Sequence, residues 1–215
     1  MPPDVRVSEP DPTWPDRAAK LLAEIRAALG PAVVHADHIG STSIPGMAAK
    51  SILDLQLSVV DLDVAERDFM APLAELGFRF KPYLGDHVPA GSGDAQENWA
   101  KRFWSRRDHP GDEANLHVRR VGSPNERLAL LFRDWFRAHP AAVPGYAAFK
   151  QTLARHLPDI EGYTDVKDPV VDLVIGIAAD WAKETRWQPH AAARTATMPE
   201  RSGPAIAPAA PARRR

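Results

Sequence analysis

The sequence predicts an α+β fold in which helices pack on a small mixed β-sheet and the C-terminal half is helical. Three observations support this prediction. Strand patterns and helix patterns are interleaved up to about residue 122. Only helical patterns follow, over residues 124–187. The chain has 215 residues, 44% of them hydrophobic, which is enough for one sizeable core or two small ones, and we predict a single domain over residues 1–187.

The first part of the chain alternates between the two kinds of element. A helix is predicted after Thr13, which can cap its N-terminus, and Gly30-Pro31 ends it. A second helix is predicted over residues 63–76, where Pro72 shortens or kinks it. The predicted strands lie in the segments AVVHADHI, SILDLQLSV, FRFKPY, WAKRFWSRR and ANLHVRRV.

The helical half begins after Ser123-Pro124 and contains three predicted helices, the last of them broken at Pro169. Residues 188–215 are rich in Pro, Ala and Arg and have no apolar periodicity, so we predict a disordered tail. Its final RRR is more typical of a solvated tail than of a contact with RNA or an acidic partner.

Composition excludes several classes of function. The 27 basic and 28 acidic side chains nearly cancel, which argues against extended binding to nucleic acid. The chain has no cysteine, so disulfides, thiolate metal sites and thiol nucleophiles are excluded. No apolar run is long enough to span a membrane and no secretory leader pattern is present, so we expect a soluble, cytoplasmic protein. The sequence leaves the oligomeric state open.

The segment HIGSTSIPGMAAKSILDLQL, residues 38–57, carries the strongest functional pattern. Gly40-Ser41 follows a predicted strand, and backbone N–H groups and the hydroxyls of Ser41 and Thr42 in such a turn can hold a phosphate. The alternative is a tight connection in which only glycine fits. The sequence contains neither G-x-x-x-x-G-K-[ST] nor G-x-G-x-x-G, so the turn is not a P-loop.

The strand after the turn places Asp54 and Gln56 together on its less apolar face. A Gly-Ser turn followed by an acid on a strand is the layout of the nucleotidyltransferase superfamily. In that superfamily two carboxylates on one face hold Mg²⁺ for phosphoryl transfer. An amide brings no charge, so Gln56 at the second acidic position predicts weaker metal binding, or one ion rather than two.

A longer pattern resembles a known family. The segments HIGSTSIPGMAAKSILDLQLSV, WAKRFW, LHVRRVGSPNERLALLFRDWFRAHP and GYAAFK are similar to the GrpB (UPF0157) family. They are most similar to the GrpB-type domain at the C-terminus of actinobacterial dephospho-CoA kinases. The resemblance covers about residues 10–187 and implies a nucleotidyltransferase-like fold, whereas it does not imply kinase activity. Gln56 matches the residue of the kinase-fused members.

The family motif also singles out basic and imidazole side chains. Lys50 follows the turn and can neutralise a phosphate, although it can equally be a surface lysine. His117 matches a family position where the superfamily often has its third carboxylate, and its imidazole can ligate a metal, bind phosphate or act as a base. Arg119 lies two residues further along the same strand face and is a candidate phosphate clamp. Arg102 on the paired strand is a further phosphate-binding candidate, with a charged solvent face as the alternative.

Two hypotheses about function follow. The first is an enzyme that transfers a nucleotidyl group from an NTP to a small acceptor with Mg²⁺. Its metal ligands are Asp54, Gln56 and His117, its catalytic residues are Asp54 and His117, and Gly40, Ser41 and Thr42 hold the phosphates. The second is a non-catalytic module that binds a nucleotide or a CoA-like anion, or a chaperone-like partner of another enzyme. The enzyme and the binding module both predict a nucleotide or another phosphorylated small molecule as ligand, whereas the chaperone-like partner does not.

Overall fold

The computed structural model of the protein describes residues 5–157 and 159–190. Within these residues five strands form one sheet with the spatial order β1-β2-β5-β4-β3. The strands are β1 (His35–Ile39), β2 (Leu53–Val59), β3 (Arg79–Lys81), β4 (Lys101–Arg106) and β5 (Ala114–Arg120). The α-helices are α1 (Trp14–Leu29), α2 (Leu62–Glu75), α3 (Pro124–Ala138), α4 (Val143–His156) and α5 (Ile160–Thr185). The predicted α+β fold with a helical C-terminal half is confirmed.

The sheet is mixed because β2 and β5 are parallel, whereas the other three pairs of neighbouring strands are antiparallel. Asp54 of β2 lies opposite Asn115 of β5, and Gln56 lies opposite His117. This register brings the motif near residue 54 beside the strand that carries His117, although the two are about 60 residues apart in the chain.

One face of the sheet is apolar and is covered by α1 and α2. Leu53, Leu55 and Leu57 of β2 are each no more than 1% exposed. They belong to one cluster with Ile25 of α1 and Phe69 of α2. Burial of side chains of this size stabilises a fold by roughly 1.5–3 kcal/mol each. This face is therefore the main core of the domain.

The opposite face of β2 carries Asp54, Gln56 and Ser58, of which Gln56 and Ser58 are fully buried. The helix α3 lies over part of this face, since Gln56 Nε2 donates a hydrogen bond of 3.4 Å to the carbonyl of Glu126. A second apolar cluster joins the three C-terminal helices to each other, with Leu131 and Ala178 among its members. The polar face is thus enclosed where α3 covers it, and a cleft opens next to that region.

Two prolines do not end the helices that contain them. The helix α2 runs past Pro72 to Glu75, and α5 runs through Pro169 to Thr185, so the predicted break at Pro169 is wrong. A proline removes one backbone hydrogen bond, and tertiary packing can offset that loss. Residues of α5 beyond the proline, such as Ala178, are fully buried.

The N-terminal cap of α1 also differs from the prediction. Thr13 makes no capping hydrogen bond with its side chain. Instead, Asp11 Oδ1 accepts hydrogen bonds from Thr13 N at 2.8 Å and from Thr13 Oγ1 at 2.7 Å. The threonine hydroxyl is therefore used as a donor in the turn that precedes the helix.

Of the predicted tail, residues 191–215 lie outside the described residues. The ring of His190 stacks on His35 with 3.8 Å between the ring centroids, so residue 190 contacts the domain. No α-helix in the described part of the chain combines the length and hydropathy needed to cross a membrane.

Candidate anion-binding cleft

A cleft of about 690 Å³ lies on the polar face of the sheet, between β2, β5 and β4 on one side and α4 and α5 on the other. Six basic side chains and one carboxylate, Asp54, line it. The basic residues are Lys50, Lys81, Arg107, Arg119, Lys150 and Lys167. This excess of positive charge suits an anion.

The Gly40-Ser41 turn forms one wall of the cleft. Gly40 has a φ angle of +66°, which favours glycine. A Cβ atom at this position would lie 2.4 Å from Asp54 Oδ2, so the turn approaches the carboxylate more closely than any side chain allows. Thr42 lines the cleft but is 3% exposed, and its hydroxyl is 2.9 Å from His38 Nε2. Burial lowers the pKa of His38 to about 4, so this imidazole is neutral at pH 7.

Ser41 is held by a lysine that the sequence analysis did not single out. Lys150 of α4 is 3% exposed and donates hydrogen bonds to Ser41 Oγ, at 2.8 Å, and to the carbonyl of Ala48. Burial, together with the positive charge of Lys167, lowers the pKa of Lys150 to about 7. Lys150 is therefore only partly protonated near neutral pH, and a bound anion would favour its charged form.

A signal for Lys150 was present in the sequence. It lies in the segment GYAAFK, which is part of the family pattern. It also shares the buried face of α4 with Tyr146, Ala147 and Leu153. A lysine on an apolar helix face is uncommon unless it has a partner or a function.

Lys50 also faces the cleft, as the family motif suggests. Its Nζ lies 4.4 Å from the ring centroid of Tyr163. Burial, and then the nearby charge of Lys167, lowers the pKa of Lys50. Among the side chains that the structure describes, neither Lys50 nor Lys150 has a carboxylate within ion-pair distance. Their charges are therefore available to a ligand.

Asp54 is the carboxylate of the cleft, and two residues of β5 surround it. Asn115 Nδ2 donates a hydrogen bond of 2.7 Å to Asp54 Oδ1, and His117 Nε2 lies 3.9 Å from the same oxygen. Burial alone would raise the pKa of Asp54, but these two neighbours outweigh it and hold the pKa below its ordinary value. Asp54 is therefore ionised at pH 7.

Gln56 and His117 are both engaged by Arg119. Arg119 Nη1 donates a hydrogen bond of 2.5 Å to Gln56 Oε1, the atom that would have to ligate a metal. Arg119 Nη2 lies 3.4 Å from His117 Nδ1. Because guanidinium groups only donate, this nitrogen is the unprotonated one and Nε2–H points toward Asp54. Burial and the charge of Arg119 lower the pKa of His117, so the ring is neutral.

These contacts decide how well the predicted magnesium site fits. Protein-bound Mg²⁺ takes oxygen ligands in octahedral geometry, usually one or two carboxylates together with waters and substrate phosphates. Asp54 is a single carboxylate, the amide oxygen of Gln56 is occupied by Arg119, and His117 presents a proton rather than a lone pair. Within the described residues, no cluster of three or more His, Asp or Glu side chains suits a metal ion. The donor set does not fit a magnesium centre held by the protein alone.

Arg119 lines the cleft but is itself paired. Its Nε donates a hydrogen bond of 2.8 Å to Asp86 Oδ2, and Lys101 Nζ donates one of 2.6 Å to Asp86 Oδ1. Asn125 Nδ2 adds a third, of 2.9 Å. Burial acts to raise the pKa of Asp86, but Arg119 and Lys101 hold it far below its ordinary range. The sequence analysis missed Asp86 because it lies in an irregular loop.

Arg102 lies on the other face of the sheet, away from the cleft. It forms ion pairs with Glu66 and Asp63 of α2, the latter at 2.5 Å. Successive strand residues point to opposite faces. Lys101 and Phe103 of β4 therefore face the polar side, and Arg102 faces α2. The structure thus brings together Gly40, Ser41, Thr42, Lys50, Asp54, Gln56, His117 and Arg119, and it separates Arg102 from them.

Comparison with known proteins identifies the family. Residues 4–176 match the family described as GrpB protein. The chain belongs to the GrpB family. A UPF0157 protein of Halalkalibacterium halodurans is 31% identical to it over 175 residues, which cover 80% of each chain. The crystal structure of GrpB from Enterococcus faecalis has a TM-score of 0.66 and 25% identity, and the match covers 85% of this chain and 100% of that one.

Longer proteins contain a similar region. A dephospho-CoA kinase of Mycolicibacterium paratuberculosis is 34% identical to this chain over 199 residues. The match covers 86% of this chain and 48% of the kinase, so the chain spans about half the length of such relatives. The solved structures similar to it also include the Cid1 poly(U) polymerase with MgATP bound, at 13% identity and a TM-score of 0.44, covering 69% of this chain and 43% of that one.

Proposed function

We propose that the cleft of this GrpB protein binds a nucleotide or another phosphorylated small molecule. The observation that carries the proposal is the arrangement at the Gly40-Ser41 turn, where the buried Lys150 and the half-buried Lys50 have no carboxylate partner among the described side chains. A buried cation without a partner is costly, and a bound anion removes most of that cost. The phosphates would lie between Ser41 and these two lysines.

The proposal is tested by calorimetric titration of the purified protein with ATP, CTP and dephospho-CoA, each with and without Mg²⁺. The dephospho-CoA kinase relatives make dephospho-CoA a reasonable ligand to include. We expect saturable binding of at least one of these compounds without Mg²⁺, because the described residues supply cations rather than metal ligands. Failure of all three compounds to bind under either condition would contradict the proposal.

Lys150→Met is the variant that locates the binding. A charge-assisted hydrogen bond contributes about 1.5–3 kcal/mol, so its loss should weaken binding by about tenfold or more. Lys183→Met is the matched control, since Lys183 is an exposed lysine that pairs with Asp180 at the end of α5. Equal affinities of the two variants would place the ligand elsewhere.

A second candidate function is the transfer of a nucleotidyl group from an NTP to a small acceptor. Asp54 favours it, because this ionised carboxylate touches the turn where phosphates are expected. Any Mg²⁺ would have to arrive with the nucleotide, since among the described residues Asp54 is the single carboxylate that lines the cleft.

The two candidates differ in what Asp54→Ala should do. If the protein is a transferase, wild-type protein with NTP, Mg²⁺ and candidate acceptors releases pyrophosphate, and Asp54→Ala abolishes this release. If it only binds, no pyrophosphate forms, and Asp54→Ala binds the anion more tightly because a negative charge has left the cleft. Pyrophosphate release that persists in Asp54→Ala would contradict the transferase mechanism.

A further inference from the structure

The cleft has a second, chemically different end. At the β3–β4 edge of the sheet it is lined by two aromatic rings, Tyr83 and Phe103. The ring centroids of this pair are 5.8 Å apart with a 57° interplanar angle. Tyr83 is 62% exposed, although it is a large aromatic side chain next to the cleft. Such exposure costs hydrophobic free energy, which a ligand can recover.

The aromatic pair is held in a defined position. Phe103 lies opposite His117 in the β4–β5 register, and the two rings meet edge to face with 4.9 Å between centroids. Lys81 lies opposite Phe103 on the other side, and the backbone N–H of Tyr83 donates a hydrogen bond of 2.8 Å to the carbonyl of Lys81. Phe103 is therefore fixed in the sheet, and Tyr83 lies just beyond β3 in a segment anchored by the hydrogen bond from Lys101 N to the carbonyl of Leu84.

The distance between the two ends suits one class of ligand. The Gly40-Ser41 turn follows β1 and lies beside Asp54 of β2, whereas Phe103 lies on β4, with β5 between β2 and β4. Neighbouring strands are about 4.8 Å apart, so Asp54 beside the phosphate end and Phe103 at the aromatic end are separated by about 10 Å across the sheet. In a nucleotide, the sugar spans a gap of this kind between the phosphates and the base.

Among the described residues that line the cleft there is no tryptophan, so the six tryptophans do not offer an alternative platform there. Trp14, Trp99, Trp104 and Trp135 are each at most 9% exposed, so their faces are covered by protein. Among the aromatic residues that line the cleft, Tyr83 has the most accessible ring, whereas Tyr163 is 3% exposed.

We infer that Tyr83 and Phe103 form a stacking platform for the base of a nucleotide whose phosphates lie at Ser41 and Lys150. This inference rests on the proposed function and narrows it. The ligand would be a nucleotide, or a molecule that contains one, rather than a sugar phosphate or an inorganic polyphosphate. Stacking tolerates different bases, because each base has a π face.

The test compares ATP with inorganic tripolyphosphate, which carries a similar chain of phosphates and no base. Both compounds are titrated into wild-type protein, Tyr83→Ala, Tyr83→Phe, Lys150→Met and Leu84→Ala. Leu84 is a matched control, since it is the next residue, is 53% exposed and does not line the cleft. Thermal unfolding of each variant checks that it is folded.

We expect Tyr83→Ala to weaken ATP binding by about tenfold and to leave tripolyphosphate binding unchanged. Tyr83→Phe and Leu84→Ala should bind ATP like wild-type protein. Lys150→Met should bind both ATP and tripolyphosphate more weakly. An unchanged ATP affinity in Tyr83→Ala, or an equal loss for both compounds, would overturn the base platform while the proposed function stands. Absence of binding of both compounds to wild-type protein would overturn the base platform, and the proposed function would still stand if CTP or dephospho-CoA binds.

Discussion

Two groups of basic side chains near the polar face of the sheet differ in what balances their charge. In the closed group, Lys101 and Arg119 share the carboxylate of Asp86. In the open group, Lys150 is buried and Lys50 is half-buried, but the described part of the chain gives them no carboxylate within ion-pair distance. The closed group holds a loop on the sheet, and the open group keeps its charge for a ligand. Buried cations in one protein can thus serve opposite purposes, and only the position of the carboxylate separates the two.

The largest expected effect comes from breaking the closed group. Asp86→Asn leaves Lys101 and Arg119 facing a neutral amide, and removal of one partner of a buried ion pair costs about 3–5 kcal/mol. We expect this loss in the free energy of unfolding measured by chemical denaturation. Asp180→Asn is the control, because Asp180 pairs with Lys183 where both are more than 70% exposed, and it should cost less than about 1 kcal/mol. Similar losses in both variants would contradict the distinction between the groups.

The same carboxylate makes stability depend on pH. The pKa of Asp86 is lowered in the folded protein from the ordinary value of 3.8. Its contribution is therefore complete above that value and is lost as pH falls below about 4. Wild-type protein should lose stability in this range more steeply than Asp86→Asn, as measured by denaturation at several pH values. Parallel curves would show that other carboxylates determine acid unfolding.

The open group should make ligand affinity depend on pH in the neutral range. Lys150 has a pKa of about 7 in the free protein, and an anion binds its protonated form. Affinity for ATP should therefore fall as pH rises, by about tenfold between about pH 7 and pH 8.5. The ligand's own charge is nearly constant there, since the second phosphate pKa is about 6. In Lys150→Arg the side chain stays charged over this range, so the Kd for ATP measured by calorimetry should not change with pH. If the Kd of this variant changes with pH as that of wild-type protein does, another group is responsible.

Lys150→Met is expected to change the free energy of unfolding less than Asp86→Asn does. The change should have the opposite sign, because it stabilises the protein. The lowered pKa means that the folded state disfavours the charged lysine, so wild-type stability rises with pH between 7 and 10.5 and is lowest below that window. Lys150→Met should raise the free energy of unfolding at pH 6 by about 1 kcal/mol. A loss of stability at pH 6 would show that Lys150 stabilises the fold, as Lys101 and Arg119 do.

The smallest effect is expected for Arg102, a basic residue outside both groups. Arg102 pairs with Glu66 and Asp63, whose side chains are 36% and 89% exposed. Arg102→Ala should cost less than about 1 kcal/mol in stability and leave the Kd for ATP unchanged. A clear loss of ATP affinity would show that the sheet transmits an effect from α2 to the cleft.

The sequence predicts the elements and much of the cleft because those features follow from local patterns. Alternation along β2 separates Asp54 and Gln56 from the apolar leucines, and the buried face of the strand is as predicted. Alternation does not predict which face of the sheet each residue of β4 occupies, because basic residues occur at both alternating positions. Lys101 and Arg102 point to opposite faces, and only the pairing with β5 determines which face each one takes.

The remaining features depend on contacts between distant parts of the chain. Lys150 and Ser41 are 109 residues apart, and Asp86 and Arg119 are 33 apart. The amide of Gln56 was a candidate metal ligand, and its hydrogen bond with Arg119 appears only when β2 and β5 are adjacent. Local periodicity carries no information on such partners.

The parallel pairing of β2 with β5 has a consequence for the order of folding. Asp54 and Asn115 can meet only after the chain between them has closed a loop of about 60 residues, and such closure is slow and entropically costly. Contact between Ser41 and Lys150 requires the closure of a still longer loop, of 109 residues. A nascent or partly folded chain would therefore have α1 and the β1–β2 hairpin before it has any cleft, and the appearance of ligand affinity would mark the end of folding.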